Sequence, residues 1–298
     1  MMKTTGLMLA SGLATLAMMQ PAMALDAQAF VDRIETVYKV MGYDFSFGPA
    51  TIEGDTIVVD GVTVGIVGID GEAKTFDTTL TFTGVVEQDD GSYTADELSI
   101  PDIDEEFPSE PTQRITISNI VAQDLWLPPE GETGSEALLQ TMGRFATGPV
   151  AITREDVEVF KIDAIDMPSE FTYADDDSLE SIRSDVAIDN IWADFTQMGG
   201  EDSEAGEMID SLGLSTISGN ITQVMNWTMA DGHLVIEEAL LDFADVGALN
   251  FTMDLTGFTP DLLDKIYAQQ AKGLDPMSEE AQAAEMMLGM EMAQAVSI

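Results

Sequence analysis

TFDTTLTFTGVV, residues 75–86, decides the fold. Phe76, Leu80, Phe82 and Val86 fall on one side of an extended chain, while Thr75, Asp77, Thr79, Thr81 and Thr83 fall on the other. One oily face and one wet face at a period of two describe a strand in a half-exposed antiparallel sheet. ALNFTMDLT, residues 248–256, repeats the rhythm, with Leu249, Phe251, Met253 and Leu255 opposite Asn250, Thr252, Asp254 and Thr256.

Working outward, residues 56–60, 62–69, 92–100, 114–127, 150–162, 171–174, 179–195, 214–229 and 233–243 are rich in β-branched and aromatic residues and read as strands. Asp89-Asp90-Gly91 and Asp231-Gly232 supply hairpin turns. Residues 101–112 hold Pro101, Pro108 and Pro111 among acids and read as an exposed loop. Residues 26–41 change the period: Phe30, Val31, Ile34, Val37, Tyr38 and Met41 share one helical face, and Gly42 stops it. Further helices are expected at 135–145, 203–212, 259–272 and 278–295, with Ser135 and Thr259 as N-caps.

The N-terminus reads as an export signal. Lys3 is followed by an uncharged apolar run over 6–19, then Pro21 and the small-x-small site Ala22-Met23-Ala24. Cleavage after Ala24 leaves residues 25–298 and a periplasmic or secreted address. The run is too short for a spanning helix, and no later segment is long and apolar enough to be one.

The chain carries 55 acids against 11 bases, a formal charge of -44. That surface repels nucleic acid and anionic membranes. With 45% hydrophobic residues in periodic order, it is not a disordered acidic tail. It has no cysteine, so stability rests on packing and strand pairing.

The chemistry is mostly excluded. His233 is the one histidine and sits at a turn, as a solvated strand-end residue does. A Ser-His-Asp site could use nothing else, and zinc ligand clusters, G-x-S-x-G, the P-loop and G-x-G-x-x-G do not occur. Carboxylates are too many for any two to be nominated as a glycosidase pair. The clusters Asp175-Asp176-Asp177 and 102–106 match no calcium loop and read as solvated turns. No catalytic residue, metal ligand or cofactor is nominated. Met286, Met287 and Met290 form a soft stripe suited to core filling or to adaptable binding. Trp126, Trp192 and Trp227 are expected to pack the sheet.

Ile117-Ser118-Asn119-Ile120-Val121-Ala122 returns as Ile188-Asp189-Asn190-Ile191-Trp192-Ala193, and a Ser-Glu-Ala follows each, at 135–137 and 203–205. This suggests repeats of about 70 residues within one elongated domain, divided near 43–112, 113–182, 183–245 and 246–298.

The phrases GDTIVVDGVTVGIV (54–67), ITISNIVAQDL (115–125) and ADGHLVIEEALLDFADVGALNFTMDLTGF (230–258), behind an export signal and one amphipathic helix, resemble the AsmA-like bacterial envelope β-repeat proteins and secreted α-proteobacterial proteins. The resemblance implies a curved sheet with an apolar concave face that handles lipids. Those proteins usually keep an N-terminal membrane anchor, which this chain lacks on the reading above. The expectation is a mainly β fold with some α: a long twisted antiparallel sheet, groove or open barrel, with helices at both ends. Its apolar face, through Phe76, Leu80, Phe82, Leu249, Phe251, Met253 and Leu255, would hold a lipid or other hydrophobic ligand. The alternatives are a structural module that binds an envelope protein and, least favoured, a hydrolase.

Overall fold

The computed structural model describes residues 25–66, 74–107, 111–198, 213–270, 286–287 and 289–290. The signal segment, the helix expected at 203–212 and most of that at 278–295 lie outside them, as does the second Ser-Glu-Ala. Met286, Met287 and Met290 are exposed.

The described residues form one open antiparallel sheet of seventeen strands. Its strands are β1 (Tyr43–Phe47), β2 (Ala50–Glu53), β3 (Thr56–Ile66), β4 (Lys74–Thr83), β5 (Val86–Glu87), β6 (Tyr93–Ile100), β7 (Ile103–Phe107), β8 (Gln113–Ile117) and β9 (Ile120–Leu127). There follow β10 (Met142–Thr147), β11 (Val150–Arg154), β12 (Val157–Ile162), β13 (Ala164–Tyr173), β14 (Leu179–Asp194), β15 (Thr216–Thr228), β16 (His233–Phe243) and β17 (Gly247–Leu255). Helices are α1 (Ala27–Val40), α2 (Ser135–Leu138), α3 (Phe195–Met198) and α4 (Pro260–Gln270).

The register makes the topology simple. β1 and β2 lie end to end along β3, and β3 pairs with β4. β6 and β7 form one interrupted row against β9 and β8. β10 and β11 form the next row, then β12 and β13, then the long β14, β15, β16 and β17. Each row pairs with the rows before and after it in the chain, an up-and-down meander whose first and last rows do not pair among the described residues.

The interruptions are aligned. Asn119 takes φ 53° and Asn190 φ 51°, and the pairing of β14 with β15 shifts between Ile188 and Ile191. The Asn119 N–H donates to Asp102 Oδ1 at 3.0 Å; the Asn190 N–H donates to Asn220 Oδ1 at 2.9 Å. Side chains thus replace ladder bonds at each break, which keeps backbone donors satisfied where the sheet bends. After each asparagine, Ile120 and Ile191 are buried, as are Ala122 and Ala193. The two phrases read as similar in sequence are alike in backbone and burial.

Several expectations are corrected. Residues 101–112 are not a loop throughout: β7 pairs with β8, and Asp104 binds Arg114 at 2.5 Å. The helix at 135–145 ends at Leu138, and Met142 onward is strand β10, held between β9 and β13. Gly134, not Ser135, is the N-cap, and the Ser135 hydroxyl donates to the Pro260 carbonyl at 2.7 Å. Residues 150–162 are two strands turned at Glu155-Asp156, both left-handed (φ 50° and 65°), as a two-residue hairpin requires. Residues 171–174 are the end of the longer β13, and β1 and β2 were not anticipated. Thr259 caps α4 as expected, its Oγ1 accepting from the Leu262 N–H at 3.4 Å.

Two cores hold the layers. α1 packs on β3, β4, β6 and β9 through Phe30, Val31 and Ile34. At the other, α4 and Leu139 pack on β13–β16 through Leu263, Ile182, Trp227 and Met229. Trp227 Nε1 donates to the Phe258 carbonyl at 2.8 Å, satisfying a buried indole. Trp126 and Trp192 are half-buried within their strands. Among the described residues, no helix is long and apolar enough to cross a membrane.

Candidate functional site

The site begins with α1. Asp26 accepts from the N–H groups of Gln28 (2.9 Å) and Ala29 (3.2 Å), which starts the helix. Ala27, Phe30, Val31, Ile34 and Val37 form its buried face. Gly42, at φ 92°, ends it and turns the chain into β1. Glu35 Oε1 accepts from the Phe47 N–H at 3.0 Å, fastening the strand to the helix that precedes it. Arg33 donates to the carbonyls of Gly91 and Pro128 and lies 5.7 Å from the Tyr93 ring centroid. These bonds fix the helix across the sheet.

Helix and sheet do not close on each other completely. Between them lies a cavity of about 600 Å³, lined by Phe30, Ile34 and Tyr38 of α1 and by side chains of β1, β3, β4, β6, β9 and β10. That volume is in the range of sites that bury a small organic ligand. The floor is aromatic: Phe30 meets Phe82 edge-on at 5.0 Å and Tyr93 at 5.5 Å. A second aromatic wall runs Tyr38–Phe45–Phe47, with centroids 5.4 Å and 6.0 Å apart. Burial raises the Tyr38 phenol above its ordinary pKa, with a partly offsetting hydrogen bond to Thr141. Tyr93 is raised too, by burial first and then by Glu87.

A simple alternation would not aim all these side chains inward. Ala122 and Leu125 both line the cavity although they are three residues apart, because Asp124 takes φ 54° and reverses the phase. Gly143 sits against it: a Cβ there would lie 2.7 Å from the Asp124 Cβ. The same device recurs at Gly84, where φ is 65° and Asp96 fills the space of a Cβ. It explains why Val85 is buried and Val86, assigned to the oily face from sequence, is 48% exposed.

The nominated residues divide. Phe76, Leu80 and Phe82 line the cavity, Leu80 and Phe82 being buried and Phe76 partly so. Leu249, Phe251, Met253 and Leu255 do not; they lie on β17, the last row. Of these, Leu249 and Phe251, expected to face in, are 60% and 45% exposed, while Met253 and Leu255 are half-buried. Phe30, Ile34, Tyr38, Phe45, Phe47 and Leu98 were not nominated. For the α1 members the helical stripe was the signal, and for Phe45 and Phe47 the short alternation Y-D-F-S-F.

The polar members of the lining are Asp77, Thr78, Thr94, Asp102, Asp104, Glu105 and Thr141. Arg114 holds the Asp104 carboxyl below the usual carboxylate range by its hydrogen bonds. A wider cleft of about 1070 Å³ has a different character, with Asp96, Asp124, Glu132, Glu136 and Asp177 in its walls. There the Glu136 carboxylate is already used, accepting from the Leu179 N–H at 3.0 Å. His233 is half-buried and bonds Asp254 at 2.8 Å. No family model matches the chain, and neither a curated protein nor a solved structure does.

Proposed function

We propose that this is an exported binding protein that holds an apolar chain, of a lipid or similar molecule, in the cavity between α1 and the sheet. The observation that carries the reading is the aromatic and aliphatic lining of that cavity, which presents oily surface to unfilled space instead of closing on itself. An apolar cleft open to solvent keeps hydrophobic surface in contact with water, and an apolar chain lying in it would cover that surface. The resemblance to AsmA-like envelope proteins and the leader at residues 1–24 agree with a role in handling hydrophobic molecules outside the cytoplasm.

The test uses the chain from residue 25 onward, expressed in bacteria and purified without detergent. Native mass spectrometry is expected to find a bound hydrophobic molecule, and Nile red to bind with saturable one-to-one fluorescence. A clean apo mass together with no saturable dye binding would overturn the reading. A second reading, a protein-interaction module, is favoured by one observation: Val246, Leu249 and Phe251 are exposed on or beside the last row of the sheet.

A further inference from the structure

We infer that β17 is a pairing edge: two copies of the chain join β17 to β17, antiparallel about a two-fold axis, and continue one sheet into the other. This is independent of what fills the cavity, and it names the partner that the exposed residues of the last row meet.

The two edges of the sheet are built differently. An edge strand offers unpaired N–H and C=O groups, and proteins blunt such edges with short strands, proline and charge. The first row is blunted in that way. β1 and β2 are 5 and 4 residues long, are parted at Gly48-Pro49, and carry Asp44 and Glu53. The last row is not. β17 runs for 9 residues with no proline, lysine or arginine, and Asp254 is its one charge. Among the described residues it pairs with β16 alone, and the extra residue of the bulge in that pair lies on β16, so β17 itself runs unbroken. Residues 247–252 are all exposed.

What favours a second copy is that β17 is complementary to itself. Laid antiparallel about an axis through Phe251, the whole strand overlaps its copy. Leu249 then faces Met253, Phe251 faces Phe251, Asn250 faces Thr252 and Asp254 faces Ala248. Oily residues meet oily residues on one face. The strand's one charge meets a methyl group, whereas a like charge directly opposite would work against pairing. The axis uses β17 of both copies, so assembly closes at two chains.

Two magnitudes set the strength. The paired strands make a contact about 30 Å long, at the low end of specific interfaces, about 1,200 Å² or less. Each chain also brings a formal charge of -44. That charge repels its copy over a Debye length of about 30 Å at 10 mM salt but only about 8 Å at 150 mM. At low salt and micromolar concentration the chain is therefore a monomer with β17 in solvent. It pairs as concentration and salt rise, the reverse of an association held by opposite charges.

Analytical ultracentrifugation of the chain of residues 25–298 tests this. The expected result is a dimer at about 200 μM chain in 0.5 M salt, with an affinity about tenfold or more weaker at 10 mM. Phe251→Asp, which sets two carboxylates face to face on the axis, should weaken pairing about tenfold with the circular dichroism spectrum unchanged. Because the chain has no cysteine, cross-linking reads the register. Under mild oxidation Phe251→Cys should form a disulfide with its own copy, while Leu249→Cys and Met253→Cys should cross-link with each other in a mixture and poorly alone. A monomer at every concentration and salt, as when another segment or another protein covers the edge, overturns the inference and leaves the cavity reading standing. So does a dimer that Phe251→Asp leaves undiminished, growth past two chains, or Leu249→Cys cross-linking to itself as fast as to Met253→Cys.

Discussion

Asn119 and Asn190 hold the same left-handed backbone, φ 53° and 51°, at corresponding positions of two like phrases, and each gives its N–H to a side-chain oxygen of an adjacent row. Asparagine tolerates this conformation better than other residues with a Cβ, and a β-branched residue tolerates it least. Each site sets a bend and returns the next isoleucine to the buried face.

Asn119→Val and Asn190→Val should therefore each cost about 1–2 kcal/mol, and glycine at either position much less. The two sites lie in rows that do not pair, so the double variant should be additive. Urea unfolding curves of the five variants check this. A valine as well tolerated as glycine would show that the backbone there is relaxed.

Phe82 and Phe76 both face the cavity at different depths. Phe82→Ala should cost about 3–5 kcal/mol, because the ring is enclosed and packed edge-on against Phe30. Phe76→Ala, at the partly exposed end, should cost about 1–2 kcal/mol. It should nonetheless weaken Nile red binding severalfold. Thermal melts beside dye titrations separate the two effects.

The Asp90 carboxyl is held below its ordinary pKa by the hydroxyl and N–H of Ser92, at 2.7 and 2.9 Å. A depressed folded pKa stabilises above the unfolded value, about 3.9, and that contribution is lost as pH falls through the folded value. Ser92→Ala should accordingly lower the urea midpoint at pH 6 and raise the Asp90 pKa in an NMR titration. The part of its cost that comes from ionisation should fade as the pH falls from the unfolded value through the lower folded one. A pH-independent difference between the two proteins would mean that packing of the buried Ser92 alone is at work.

Leu249 and Phe251 stand in solvent, whereas Leu80 and Phe82 stand in the core. Leu249→Thr with Phe251→Thr should shift stability by no more than about 0.5 kcal/mol. The same pair of changes at Leu80 and Phe82 should prevent folding. Circular dichroism melts decide it, and a large loss from the β17 pair would show that those side chains are covered in solution.

Much of this fold was legible because the period of two is strong where one face is dry. Residues 75–83 alternate almost without error, Thr78 being the exception on the oily face, and β4 covers them. The misreadings have physical causes. Residues 135–145 place Leu138, Leu139, Met142 and Phe145 at helical spacing, yet pairing with β9 and β13 captures the second half as strand. In 103–107, Ile103, Glu105 and Phe107 alternate with acids, so composition hid a solvent-facing strand stabilised diagonally by Asp104 and Arg114. Glu155-Asp156 makes a two-residue turn without the glycine that usually announces one. The site was half legible for a similar reason. Alternation tells which residues share a face, not which face a helix covers, so Phe76 and Leu249 looked equivalent until α1 was seen over one and not the other.

A meander in which every row leans only on its chain neighbours has low contact order, and order can spread along it like a zip. Fraying should then start at β17, where the last row has one partner and oily side chains in water, and travel inward. The rows clasped by α1 should be the last to exchange their amide hydrogens, so the cavity between helix and sheet outlives the far edge of the sheet.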